Sequence, residues 1–160
     1  MGKRKVVAVS GGFDPIHVGH VRMIQDAAVM GDVVVIANSD AWLMRKKGYV
    51  FMQYEERQEI LSAIKGVCDV VQAKDEDDTV CASLQLVKPD IFANGGDRKE
   101  GNIPEYQLCE DMGIEMKFGV GGSDKPQSSS WLVEKVTKVQ QDISEVLGYS
   151  LGFQDGFEKK

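Results

Sequence analysis

The sequence predicts an α/β domain built on a doubly wound, five-stranded parallel sheet, and three observations carry that expectation. Short β-branched or apolar runs alternate with longer helix-like stretches along the whole chain; glycines close several of those stretches; and two glycine-rich loops, at Gly11-Gly12 and Gly95-Gly96, each follow an apolar run. Runs such as Val6-Val7-Ala8-Val9 are apolar at every position, as a strand covered by helices on both faces requires.

The elements follow in order. The first strand is expected over residues 5–10, and the helix after it, over 18–30, shows apolar spacing at Val21, Ile24 and Ala28 before stopping at Gly31. A second strand over 33–38 leads into a loop that carries the basic run Arg45-Lys46-Lys47. A helix over 54–64 closes at Gly66, and a third strand covers 67–72. Residues 79–87 form a helix capped by Asp77 or Asp78. A fourth strand over 90–93 precedes a helix over 104–112, with Pro104 at its start and Gly113 past its end, and the fifth strand covers 114–118. The glycine-rich segment 119–126 is a flexible loop before a last long helix, opened by Gln127-Ser128-Ser129-Ser130. Such strand-helix alternation implies right-handed crossovers. The domain is expected to occupy residues 1–138. Residues 139–160 form a helical extension or tail whose Val139, Ile143, Val146, Leu147, Tyr149, Leu151 and Phe153 are unusually apolar for a free terminus.

Composition bounds the function classes. With 160 residues, 42% apolar and 28% charged, the chain suits one domain of ordinary core size. A formal net charge of −6 argues against a broad nucleic-acid surface, which needs an extended basic footprint, but not against a nucleotide held by a few local donors. No apolar run is long enough to span a bilayer, and Met1-Gly2-Lys3-Arg4-Lys5 leads straight into a strand, so no membrane partner and a cytoplasmic location are expected. Cys68, Cys81 and Cys109 are widely spaced and lack a Cys-x-x-Cys pair, so they are read as reduced thiols and not as a disulfide framework or zinc site.

Residues 11 to 20 read Gly-Gly-Phe-Asp-Pro-Ile-His-Val-Gly-His. This places His17 and His20 where a strand hands over to a helix, with Gly19 between them allowing close backbone approach and with the free N–H groups of a helix N-terminus facing any anion. Two imidazole donors, bare backbone and a helix N-terminus make a phosphate site. Ser128, Ser129 and Ser130 open the last helix in the same way, either as a simple N-cap or as a second set of phosphate donors. Asp14 is either a turn-former bonding its own backbone or a contact to nucleotide or magnesium through water. The site offers cationic donors but no dense carboxylate cluster, so no resident metal ligands are assigned.

With these motifs the sequence resembles the nucleotidyltransferase superfamily marked by His-x-Gly-His, in its cytidylyltransferase-like group. Ala37-Asn38-Ser39-Asp40, Tyr54-Glu55-Glu56-Arg57, Asn94-Gly95-Gly96-Asp97 and the serines fall in the family's order over roughly residues 5 to 136. Within the group it is similar to glycerol-3-phosphate cytidylyltransferase and to the adenylyltransferase module that activates heptose 1-phosphate. The resemblance implies a Rossmann-like sheet in the order 3-2-1-4-5, so that the two glycine loops face each other across the crevice at the switch point. It also implies transfer of a nucleoside monophosphate from ATP or CTP to a small phosphorylated metabolite, a sugar or polyol phosphate, with release of pyrophosphate; Mg²⁺ arriving with the triphosphate; and a homodimer.

The implied catalytic residues are His17, His20 and Lys46, with either Lys46 or Lys47 reaching the triphosphate. Gly12, Phe13, Asp14, Gly19, Lys47, Arg57, Gly95, Gly96, Asp97, Ser128, Ser129 and Ser130 are expected at the nucleotide, Arg57 alternatively forming an exposed helix ion pair. The chain departs from its relatives in three places. Lys125 stands in the region where they carry an arginine before the serines; Gly12 replaces a threonine; and Trp131 follows the serines where they have polar residues. These departures leave the acceptor open. The missing arginine keeps in view a nucleotide-binding protein of the same fold without turnover, and Phe13-Asp14-Pro15-Ile16-His17, which also resembles the nicotinate or nicotinamide mononucleotide adenylyltransferases, keeps that activity as a second alternative.

Overall fold

A computed structural model describes residues 2–96, 98, 103–122 and 124–148. The elements are β1 (Val6–Gly11), α1 (Val18–Met30), β2 (Asp32–Ala37), α2 (Asp40–Lys47), α3 (Tyr54–Ser62), β3 (Val67–Gln72), α4 (Cys81–Val87), β4 (Ile91–Gly95), α5 (Tyr106–Met112), β5 (Glu115–Val120) and α6 (Ser129–Leu147). The five strands form one sheet in the order β3-β2-β1-β4-β5, every neighbouring pair parallel. This is the order expected from the sequence.

Alternation along each strand builds two core layers. In the central strand, Val7 and Val9 face one cluster with Ile24 and Ala27 of α1 and Leu61 of α3, while Ala8 between them joins Ile36, Leu84, Phe92 and Cys109 in a second cluster beneath α4 and α5. A period of two thus sends neighbouring residues of one strand into opposite layers. Val7, Ala8 and Val9 are all fully buried, and each valine side chain buried this way contributes on the order of 1.5–3 kcal/mol.

Glycine decides one junction by space. A Cβ at Gly31 would collide with the carbonyl of Lys5, the same carbonyl that accepts the Asp32 amide at 2.8 Å, so α1 can return into β2 only with glycine there.

Two elements differ from the sequence reading. The basic run Arg45-Lys46-Lys47, read as part of a loop, is the last turn of α2, whose N-terminus is capped by the Ser39 hydroxyl accepting from the Trp42 amide and whose C-terminus is closed by Gly48 at φ 81°. All the stop and start signals are present, but only Leu43 of the eight residues is buried, too little apolar spacing to mark a helix. Helix α4 starts at Cys81 and has no side-chain cap: Asp77 spends its carboxylate on the amide and hydroxyl of Thr79, one turn earlier, and Asp78 pairs with Arg45 and Lys46. At the other end of the chain, α6 runs without interruption across residues 138 and 139.

Candidate active site

A cleft of about 360 Å³ opens at the carboxyl ends of β1 and β4, the two strands between which the chain order reverses. Ser10, Gly11 and Phe13 form one wall and Asn94, Gly95 and Gly96 the facing one; Gly121, Gly122 and the segment from Asp124 to Ser130 close the mouth. Of the residues expected from sequence, Phe13, His17, Gly19, His20, Lys47, Gly95, Gly96, Ser128, Ser129 and Ser130 are brought together here. Asp97 lies outside the described residues.

The histidines cap the helix that carries them. His17 is the N-cap of α1, and its Nδ1 accepts the Gly19 amide at 3.1 Å; His20, at N3, accepts the His17 amide on its own Nδ1 at 3.2 Å. This is a capping box made by two imidazoles. Because each Nδ1 is an acceptor, each neutral ring carries its proton on Nε2, which makes both side chains donors through the nitrogen left over. The rings stack at 3.7 Å between centroids, and Phe13 meets His20 edge-on at 4.9 Å. Gly19 permits this arrangement, since a Cβ there would lie 2.9 Å from Cε1 of His17.

Burial is the main cause that holds both rings neutral. It lowers the His17 pKa, assisted by the positive charges of Lys125 and Lys47, and it lowers that of His20 to about 3, assisted by His17 and Lys47. Protonation would also turn each Nδ1 into a donor facing an amide. Folding therefore depends on pH in a definite direction. Between the ordinary histidine value of 6.5 and about 3, the unfolded chain binds more protons than the folded one, so stability is highest above pH 6.5 and is lost on acidification. The melting temperature should already fall between pH 6.5 and about 5, above the carboxylate range, and His20→Asn should flatten that slope. A wild-type melting temperature constant over that interval would contradict half-buried, neutral rings.

The loop between β1 and α1 is held from behind by residues expected at the ligand. Asp14 is fully buried and does not line the cleft; its two carboxylate oxygens accept the amides of Phe51 and Met52, each at 2.6 Å. Of the two roles weighed for Asp14, its observed contacts are those of loop organisation, although its partners lie in a distant segment and not in its own turn. Arg57 is likewise fully buried, which excludes the exposed ion pair. Its guanidinium donates to the carbonyls of Met52, Gly12 and Asn38 at 2.8 to 2.9 Å and to the carboxylate of Asp40 at 2.6 Å, so one side chain joins the ends of β1 and β2. Gly12 contributes its carbonyl to Arg57 and does not line the cleft. Beside them, buried Asp75 accepts the amide and hydroxyl of Ser39 and the side-chain amide of Asn38.

Position on α2 separates the two lysines. Lys46 forms an ion pair with Asp78 at 3.0 Å and lies away from the cleft, whereas Lys47 lines it, with its Nζ 3.4 Å from the Asp14 carbonyl. Two further cations line the cleft. Lys125, noted from sequence only as a stand-in for the family's arginine, sits with its Nζ 5.2 Å from the centre of the Trp131 ring. Arg98, two residues past the glycine loop, was not singled out in the sequence; its one legible signal is that nearness. The serines are not side-chain caps of α6: the hydroxyls of Ser128 and Ser130 are 2.8 Å apart, and that of Ser129 donates to the Pro15 carbonyl at 2.8 Å, tying the start of α6 to the histidine loop. Among the described residues, no group of three or more His, Cys, Asp or Glu is placed to hold a metal ion, and no helix is long and apolar enough to cross a membrane.

Residues 8–116 match the cytidylyltransferase-like family. The chain is 34% identical over 139 residues to the bifunctional protein HldE of Hahella chejuensis, covering 85% of this chain and 28% of that protein. It is 35% identical over 142 residues to HldE of Geobacter sulfurreducens, covering 86% and 28%. The chain thus spans under a third of the length of these relatives. Among solved structures, a lipopolysaccharide core biosynthesis protein from Thermoplasma volcanium superposes with a TM-score of 0.59 at 25% identity, over 77% of this chain and 98% of that one.

Proposed function

This chain belongs to the cytidylyltransferase-like family, and from that premise we propose that it transfers a nucleoside monophosphate from ATP or CTP to a small phosphorylated metabolite, releasing pyrophosphate. The observation that carries the reading is the pair of neutral, stacked histidines whose Nδ1 atoms are both occupied by the start of α1, leaving two Nε2 donors in a cleft edged by lysines and serines. The acceptor belongs to the sugar and polyol phosphates. Both the sequence resemblance to the module that activates heptose 1-phosphate and the likeness to a protein named for lipopolysaccharide core biosynthesis support a phosphorylated sugar.

The reaction is an in-line displacement. An oxygen of the acceptor phosphate attacks the α-phosphorus, a new P–O bond forms, the bond to the bridging oxygen of the β-phosphate breaks, and pyrophosphate leaves with that electron pair. Catalysis then consists of positioning and charge stabilisation. His17 and His20 donate from Nε2 to the α- and β-phosphate oxygens as charge grows on them, and the first amides of α1 add their dipoles. Lys47, and not Lys46, supplies the cation from α2, with Lys125 opposite it in the place of the family's arginine. Ser128 and Ser130 offer hydroxyls at the start of α6. Mg²⁺ fits this donor set as a companion of the triphosphate, whose charge it neutralises, because the described cleft holds cations and few carboxylates.

Pyrophosphate release, measured with ATP or CTP against a panel of sugar and polyol phosphates, tests the proposal. Release is expected only with Mg²⁺ and a phosphorylated acceptor together. Nucleotide binding without turnover on any acceptor, release of orthophosphate, or selective use of nicotinate or nicotinamide mononucleotide would each overturn it. A homodimer is part of the same reading.

A further inference from the structure

Helix α6 leaves the domain after its first turns. From Glu134 to Leu147 every residue except the half-buried Ser144 is exposed, including Val136, Val139, Ile143, Val146 and Leu147. These side chains are not scattered. Leu132, Val136, Val139, Ile143 and Val146 follow one another at spacings of four, three, four and three, which sets them along a single stripe and gives the pattern of a coiled-coil seam.

We propose that this stripe is the interface of a homodimer in which two copies of α6 pair antiparallel; the proposal rests on the dimer of the functional reading and supplies its surface. Charge selects both the occupant and the direction. Taking Val136 and Ile143 as the a positions and Leu132, Val139 and Val146 as d, the flanking g positions of the described helix are Lys135 and Asp142, and the e positions are Val133, Gln140 and Leu147. In an antiparallel pair g faces g, so Lys135 of each copy meets Asp142 of the other, twice, across a two-fold axis near residues 138 and 139. In a parallel pair g faces e, and both charges would face uncharged Gln140 and Leu147. The stripe therefore complements a second copy of itself in the antiparallel sense. The arrangement sets each partner's C-terminal end of α6 beside the first turn of the other, next to the serines of the cleft.

Sedimentation equilibrium of the full chain at micromolar to sub-millimolar concentration tests this, with circular dichroism to confirm the fold. The wild type is expected to be dimeric. Val139→Glu, which places a charge in the seam, is expected to give a folded monomer. Lys135→Asp and Asp142→Lys alone should each weaken dimerisation about tenfold by setting like charges opposite one another, and the double swap should restore it. A monomeric wild type overturns both the dimer and its surface. A dimer indifferent to Val139→Glu and to the single swaps overturns the surface alone. A monomer that Val139→Glu destabilises shows that the stripe packs against the chain's own remaining residues, which also overturns the proposal. Because none of these positions lines the cleft, pyrophosphate release tests the reaction independently.

Discussion

His20→Ala is expected to lower turnover by about 10²-fold or more while nucleotide affinity falls much less, because a donor aimed at developing charge acts mainly in the transition state. His17→Ala should behave alike, since both Nε2 donors depend on the same pair of amide contacts. The two substitutions are not independent: removing either imidazole opens the capping box, at about 0.5–2 kcal/mol for a lost N-cap, and deprives the other ring of its stacked neighbour. The double variant should consequently lose less than the product of the single losses. Steady-state kinetics with both substrates separate these effects. Unchanged kcat in both single variants would remove the histidines from the reaction, and a rise in KM alone would make them binding groups.

Arg57→Met is expected to destabilise the fold by about 3 kcal/mol, chiefly the cost of leaving carbonyl oxygens around the buried guanidinium without a donor, since the Asp40 carboxylate is partly exposed. The methionine has similar length, so cavity formation is a minor part of the loss. What is left behind is the carboxylate of Asp40 without its cation and three carbonyls, of Gly12, Asn38 and Met52, without a donor. For a chain of this size the melting temperature should drop on the order of 10 °C. Scanning calorimetry checks it. Because Arg57 ties the end of β1 to that of β2, surviving protein should also bind nucleotide more weakly. The reverse outcome, an unchanged melting temperature with lost nucleotide affinity, would return Arg57 to the ligand.

Both predictions concern one loop, and the loop shows how the site is assembled. Residues 12 to 17 are fixed from several directions: Arg57 from α3 on the Gly12 carbonyl, the amides of Phe51 and Met52 on Asp14, and Ser129 from α6 on Pro15. The histidines need not be held by one another alone. A preorganised donor pair costs little reorganisation when charge develops, and the interior behind it is where this chain spends a buried arginine and a buried aspartate.

The sequence by itself determined the alternation of strands and helices, the single α/β domain, and the place of His17, Gly19, His20 and the serines at element boundaries. The physical reason is that these are local properties. Periods of two and 3.6, glycine after a helix and a cap before one are written within a few neighbouring residues, and the family's order of motifs supplied the strand order. Only the tertiary structure decided where Asp14, Arg57, Lys46 and Lys47 lie and what they contact. Asp14 finds its partners 37 and 38 residues away and Arg57 one of its own 45 residues away, separations at which no spacing rule tells a buried strut from a ligand contact. The adjacent lysines part because the last turn of α2 points one toward Asp78 and the other into the cleft, and that helix had too little apolar periodicity to be read in advance. Arg98 and Lys125 line the cleft for the same reason: the fold carries the ends of β4 and β5 to the mouth of the crevice, and cations distant in sequence converge where the strand order reverses.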